Sequence, residues 1–205
     1  MSKIRKIAIL VLAVAAVVSF LIQRENLTQK AVTGGTVTVV EAPEQTEAME
    51  HEAFLAEEYV SVLPEGENLA LEGKIESSSF QDSYTPRKAI DGKADGVSYW
   101  EGAKDSYPNY LTVNLKEEKS FHAIRVCLNP DTRWGNRTQE FSVEISSDGE
   151  NFTELIPSAA YEFTPDRNNE VILEFDETAA QYVQLKFTSN TGAGGGQVAE
   201  FEIYG

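Results

Sequence analysis

One cysteine and two histidines are scarce provision for a chain of 205 residues, and each scarcity removes a class of chemistry. Cys127 has no partner for an intrachain disulfide. In Ile124-Arg-Val-Cys-Leu128 it sits in a strand pattern, where a thiol behaves as a small buried hydrophobe. Neither His51 nor His122 has a second His, a Cys or a Ser at a useful spacing. A His-Glu-x-x-His helix is missing. So is a phosphate-cradling loop, since Gly192-Ala-Gly-Gly-Gly196 lacks the Lys-Ser/Thr that would follow. That glycine run is expected instead to let backbone approach a neighbour closely. Carboxylates are plentiful, but they fall mostly in turns or on polar strand faces rather than as a placed pair. Catalysis is therefore not expected.

Positive charge is also in short supply, with 17 basic residues against 33 acidic ones and a formal net charge of −16. From Glu67 onward 12 basic residues face 24 acidic ones. Nucleic acid is a poor partner for such a surface, because a basic face supplies most of that affinity. Anionic lipid would repel it too. The length suits one domain of ordinary size plus extras.

The extras come first. Residues 1–22 hold Lys3, Arg5 and Lys6, followed by an uncharged run of 16 residues from Ile7 to Ile22. At about 1.5 Å per residue a helix there reaches ~24 Å, slightly short of a bilayer core. The preceding cations put the N-terminus on the cytoplasmic side, so the rest of the chain is exported. Ala13-Val-Ala15 offers a cleavage site, but it would leave a short h-region with apolar sequence beyond it. An uncleaved single-pass anchor in the cell membrane is favoured over secretion, and no cysteine is near enough for a lipid anchor. Residues 23–67 read as a spacer. Thr36-Val-Thr-Val-Val40 has no strand partner nearby, and the glutamate-rich stretch Pro43 to Tyr59 has only partial helical periodicity. A mostly disordered acidic stalk is expected.

Beyond Asn68 the period shortens to two. Leu111, Val113 and Leu115 alternate with polar residues, as do Phe141, Val143 and Ile145, then Val183, Leu185 and Phe187. Ser147-Asp-Gly149 joins two runs as a hairpin turn. Sustained 3.6-residue periodicity is missing, so an all-β antiparallel β-sandwich is expected over residues 68–205.

One stretch organises this domain: Ala89-Ile-Asp-Gly-Lys-Ala-Asp-Gly-Val-Ser-Tyr-Trp100. Its two Asp-Gly pairs favour successive tight turns, so backbone carbonyls can converge with the carboxylates of Asp91 and Asp95 and the Ser98 hydroxyl. A cluster of hard oxygens without His or Cys suits calcium, and Glu200, which interrupts an apolar-alternating strand, is the expected distant partner.

Taken in order and spacing, Asn68-Leu-Ala70, the Ser77–Ser79 run, Ala89-Ile-Asp-Gly92, Ser98-Tyr-Trp100, Ser147-Asp-Gly149 and Ala199-Glu-Phe-Glu-Ile-Tyr-Gly205 resemble a discoidin domain. This is the coagulation factor five/eight C-type module, whose bacterial branch is similar to the family thirty-two carbohydrate-binding modules. The resemblance runs from about Asn68 to Gly205. It implies a galactose-binding-domain-like jelly roll, a structural calcium near the join of the termini, and glycan binding by loops at one end. It also implies which oxygens hold the ion: a carbonyl at Lys88, the Asp91 carboxylate, loop oxygens, the Ser98 hydroxyl, and the Ala199-Glu200 pair. The loop from Asp91 to Trp100 is longer than usual for the family, so Asp95 rests on the residues alone. Trp100 is expected in the core, covering the calcium loop.

The segment Leu128-Asn-Pro-Asp-Thr-Arg-Trp-Gly-Asn-Arg-Thr-Gln139 breaks the strand pattern. An exposed indole at Trp134 would offer a flat apolar face on which a sugar ring can stack. Asn129, Arg133 and Arg137 would supply hydrogen bonds to hydroxyls. The family's topology implies that Tyr84, Glu101, Tyr107 and Gln197 come near. The competing reading has Trp134 plugging the end of the sandwich and the arginines pairing with local acids. The expectation is a calcium-stabilised, membrane-tethered extracellular module that binds a glycan or polysaccharide without modifying it. The alternatives are a protein-interaction or adhesion module using the same loops and, third, a calcium-dependent lipid binder.

Overall fold

The computed structural model describes residues 59–205. The expected anchor and residues 23–58 of the spacer lie outside the described residues. Eight strands run in chain order: β1 (Lys74–Ser77), β2 (Trp100–Glu101), β3 (Asn109–Cys127), β4 (Arg137–Ser146), β5 (Thr153–Phe163), β6 (Glu170–Asn190), β7 (Gln197–Val198) and β8 (Glu200–Tyr204). Every strand pairing among them is antiparallel. The only helices among the described residues are short 3-10 turns, and none is long and apolar enough to cross a membrane.

β3 and β6 carry the architecture. They pair from Asn109 opposite Phe187 to Cys127 opposite Glu170, with register shifts between Asn114 and Lys119 and between Phe121 and Ala123. Lys116, inside the first shift, has a φ of 73°. An irregularity of this kind bends a strand and lets it pass from one layer to another. The first half of β3 lies between β1 and the end of β6, which continues to β4 and β5; its second half lies between the start of β6 and β8. Two layers result, a jelly-roll β-sandwich.

The alternation seen in the sequence supplies the core between them. Leu111, Val113, Leu115, Phe141, Val143, Val183, Leu185 and Phe187 are buried, and Phe121, Ile124, Val126, Phe201 and Ile203 meet them from the other layer. Ile145 is only half-buried. Trp100 is fully buried beside Phe187, with its indole N–H donating to the Ser79 carbonyl at 3.0 Å. Cys127 is buried, and that burial raises its thiol pKa well above the ordinary range, as befits an inert hydrophobe. The Ser147-Asp-Gly149 turn connects β4 to its neighbour β5.

At one end β2 and β7 form a small ribbon, Trp100 opposite Val198 and Glu101 opposite Gln197. The glycine run makes this possible. A Cβ on Gly195 would stand 2.1 Å from the Gly102 carbonyl oxygen, so only glycine admits the ribbon's close approach. At the other end the termini join. Glu67 N–H donates to the Gly205 carbonyl at 3.0 Å, and Asn68 bridges to Tyr204. The domain also takes in residues ahead of Asn68. The Asn168 amide donates to Ser61 Oγ at 3.0 Å and the Tyr59 hydroxyl to Glu170 Oε1 at 2.9 Å. The last part of the acidic spacer is thus ordered against the sandwich, held by polar contacts that its composition did not reveal.

Candidate functional site

Two features lie around the loop 91–99: a cleft and an acidic knot. The cleft, about 480 Å³, is lined by Gly96, Val97, Tyr99, Asn129, Arg133, Trp134, Arg137 and Gln197. Three stretches distant in sequence meet there: the turn before β2, the connection between β3 and β4, and the start of β7.

Its rear wall is held by amides. Asn129, nearly buried, donates from Nδ2 to the Gly96 carbonyl at 2.8 Å and accepts the Asp131 N–H at Oδ1 at 2.9 Å. It pins two loops together. Gln197 is held through its backbone by the fully buried Gln139, which accepts the Gln197 N–H at 2.7 Å and donates to its carbonyl at 2.9 Å. Gln139 so completes the ladder that β7, only two residues long, cannot complete itself. The Gln197 side chain then bridges two charges. Its Oε1 accepts from Arg137 Nη1 at 2.5 Å and its Nε2 donates to Glu101 Oε2 at 2.8 Å.

The apolar face is aromatic. Trp134 is half-buried, packed on the edge of the core and meeting Tyr99 edge-on at 4.8 Å between ring centroids. Tyr84 stacks on the far side of Tyr99 at 4.2 Å, so it supports the wall without lining the cleft. Val97 stands on the rim, 71% exposed. The Arg137 guanidinium lies over the Trp134 ring at 4.7 Å. Burial lowers its pKa, opposed by the nearby Glu101 charge, and its Nε is buried without a hydrogen-bond acceptor. Arg133, by contrast, is engaged by its neighbour: Nε and Nη2 donate to Asp131 at 2.9 and 2.6 Å. The Asp131 carboxyl is held down to about 2 by those bonds.

Of the expected ligand-binding residues, Asn129, Arg133, Trp134, Arg137 and Gln197 line the cleft. Tyr84 and Glu101 stand behind it, and Tyr107 is not on its wall. Trp134 combines both earlier readings, touching the core and facing the cleft. Arg133 pairs with a local acid and Arg137 does not. Tyr99, Val97, Gly96 and the positioning role of Gln139 escaped the sequence reading. A signal for Tyr99 existed, because it precedes the core residue Trp100 and alternation turns it to the opposite face.

The acidic knot lies at the other side of the loop. Gly92 and Gly96 have φ of 79° and 63°, which turns the chain twice as the Asp-Gly pairs suggested. The Lys93 N–H is shared between Asp91 Oδ1 at 3.0 Å and Glu200 Oε1 at 2.7 Å, and the Ser98 hydroxyl donates to Asp91 Oδ2 at 2.6 Å. Asp91, Ser98 and Glu200 are thereby gathered. Ala199 is buried beside them, its N–H on the Cys127 carbonyl at 2.7 Å. The Lys88 ammonium reaches the Val97 carbonyl at 2.9 Å. Asp95 is exposed and gives only its backbone carbonyl, to the Ser98 N–H. No cluster of three or more acidic, His or Cys side chains at metal-binding spacing exists among the described residues, so its carboxylate stays outside the Asp91–Glu200 pair.

Glu200 is 2% exposed and its Oε2 has no hydrogen-bond partner. Burial pushes its carboxyl up to about 7; the Lys93 N–H opposes the shift and the adjacent Asp91 carboxylate adds to it. Two carboxylates and a hydroxyl form an all-oxygen donor set with one oxygen left over, and this chemistry fits a hard divalent cation such as calcium.

A jelly roll with loops built into a cleft at one end belongs to the galactose-binding-domain-like class of sandwiches. Within that class the chain belongs to the F5/8 type C domain family, whose model matches residues 74–201. Solved structures share the fold. The module CpGH89CBM32-5 from Clostridium perfringens, in complex with GalNAc-β-1,3-galactose, matches with a TM-score of 0.57 and 21% identity over 68% of this chain and 100% of that one. Chitosan-binding module 2 of a Paenibacillus sp. IK-5 chitosanase/glucanase, in complex with chitotriose, matches at 0.52 and 25% over 67% of this chain and 100% of that one. The CBM32 of AlyQ, in complex with 4,5-unsaturated mannuronic acid, matches at 0.53 and 21% over 64% and 93%.

Proposed function

We propose that residues 59–205 bind carbohydrate in the Trp134 cleft without modifying it. The observation that carries this reading is the pairing of a half-buried indole with a guanidinium and a Gln197 amide around a 480 Å³ opening. A sugar ring has an apolar C–H face and a rim of hydroxyls. Trp134, Tyr99 and Val97 suit the first, and Arg137 suits the second. The similar folds carrying bound sugars support the same reading. Among the described residues no placed acid–base pair lines the opening, and this supports binding rather than turnover. Glycan-array binding competed by free monosaccharide tests it; binding to protein partners alone, indifferent to sugar, would replace it with the adhesion reading.

Calcium belongs to the same proposal as a structural ion. The Asp91 and Glu200 carboxylates, the Ser98 hydroxyl and carbonyls at Lys88 and Ala199 would hold it, and it would supply the positive charge that the buried Glu200 carboxylate needs. The unpartnered Glu200 Oε2 supports this assignment. Calorimetry with and without chelator tests it, since an ion that binds only the folded state raises the melting temperature. An unchanged melting temperature would refute it. The proposal also carries the export of the domain on an N-terminal membrane anchor, supported by the 16-residue uncharged run behind three cations. Cell fractionation with sequencing of the mature N-terminus decides between that anchor and secretion.

A further inference from the structure

The cleft has a charge with no direct ion pair among the described residues. Among its lining residues are two arginines and no acid, in a chain whose net charge is −16. Arg133 is already neutralised by its two-pronged contact with Asp131. Arg137 forms no ion pair among the described residues. Its one hydrogen bond goes to a neutral amide, Gln197 Oε1, and its Nε is buried without an acceptor. Glu101 is close, but its carboxylate accepts the Gln197 N–H, so the amide stands between the two charges. The guanidinium is fixed in place by the Trp134 ring on one side and by Gly192 on the other, where an added Cβ would come within 2.9 Å of its Nε.

A guanidinium held rigid with unused N–H groups is pre-organised for a planar two-oxygen acceptor. A hydroxyl would accept one bond from the terminal nitrogens and leave the guanidinium without a direct ion pair in a partly dry site, whereas a carboxylate would accept from Nη1 and Nη2 together. We infer that the cleft selects a sugar bearing a carboxylate, a uronic-acid-type unit, with its ring on Trp134 and its carboxylate on Arg137. Only one lining cation lacks a direct ion pair among the described residues, so one negative charge in the cleft matches it. This inference rests on the carbohydrate-binding reading and adds the ligand's charge to it.

The test uses pairs of probes that differ only in that charge: oligogalacturonate against its methyl ester, and oligoglucuronate against the corresponding neutral glucan oligomer. Titration calorimetry on the whole domain should find the charged member of a pair bound at least about tenfold tighter, the order of a charge-assisted hydrogen bond. The preference should weaken as salt is raised. Arg137→Gln should erase it, and Arg137→Lys should retain part of it, since a point charge remains without the fork. Equal affinity within both pairs would overturn the inference and leave the carbohydrate reading standing. Binding to neither member of either pair, while neutral glycans bind on an array, would also overturn it. Absence of binding to any glycan would remove both. A charge preference that survives Arg137→Gln in a folded protein would overturn the assignment to Arg137. Should Arg137→Gln fail to fold, the paired probes on the native protein and Arg137→Lys still decide.

Discussion

Glu200 and Glu202 stand two residues apart on β8 and share one face, yet their surroundings are opposite. Glu202 accepts two bonds from Arg125 Nη1, each 2.9 Å, and one from the Tyr204 hydroxyl at 2.7 Å. The same arginine donates from Nε to the nearly inaccessible Glu170 at 2.6 Å, and Tyr59 donates to that carboxylate from the other side. Both carboxylates in that network contact one shared cation, and each also accepts from a tyrosine hydroxyl. Glu200 has an N–H, a neighbouring carboxylate and an unpartnered oxygen. Arg137 in the cleft is the mirror case, a cation with no direct ion pair among the described residues and Glu101 only beyond the Gln197 amide. A buried charge left unpaired is costly, so the contrast separates what the fold completes by itself from what it leaves for something outside.

Breaking the complete network should have the largest effect. Arg125→Met leaves two carboxylates buried without their cation and should cost about 3–5 kcal/mol of folding stability, read by denaturant unfolding. Replacing Glu170, Arg125 and Glu202 together by apolar residues should cost much less, because no orphan charge would remain. A single-variant loss below about 1 kcal/mol would mean that the network is solvated and the comparison unsound.

Glu200 makes stability depend on pH. Its folded pKa of about 7 stands above the ordinary carboxyl value of 4.5. Between those values the folded domain keeps a proton that the unfolded chain releases, so stability falls as pH rises through that window. With chelator present the fall should amount to about 3 kcal/mol and be complete above pH 7. Saturating calcium should abolish most of it, and Glu200→Gln should remove both the slope and the calcium response. Melting curves from pH 4 to 8 check all three.

Smaller effects are expected in the cleft. Trp134→Ala should lose ~1–3 kcal/mol of glycan affinity by titration. Its fold stability should drop by less than the ~3–5 kcal/mol of a fully buried aromatic, because only part of the indole is packed. Arg133→Ala should change least, leaving affinity within about threefold, since its charge is exposed and already used by Asp131. A larger loss there than for Arg137→Gln would reverse the roles given to the two arginines.

Much of this was legible before any fold. Strand alternation marked the core through Leu111, Val113, Phe141, Val183 and Phe187, because a buried sheet face imposes a period of two on every chain. The Asp-Gly pairs marked a coiled acidic loop, because Gly at positive φ has few substitutes. Trp134 stood out because alternation stops around it. Gln139 was not legible, and Tyr99 was legible only as a residue turned away from the core. Tyr99 matters through an edge contact with a residue far along the chain, and Gln139 through a side chain that mimics a strand. The docking of Tyr59 on Glu170 was hidden in a glutamate-rich stretch whose composition argues for solvent.

By itself, then, the sequence determined the class of fold, the acidic loop with its distant Glu200, and the family, since these rest on local periodicity, on turn chemistry and on the order of short motifs. Tertiary structure alone decided which charges are answered. Arg125, Arg133 and Arg137 are the same residue type in one acidic chain, and composition cannot rank them. Their fates differ because β3 sets Arg125 between Glu170 and Glu202, a tight turn folds Arg133 back on Asp131, and the β2–β7 ribbon sets a neutral glutamine between Arg137 and Glu101. A charge–charge interaction depends on distance and on excluded water, and both are properties of the folded chain.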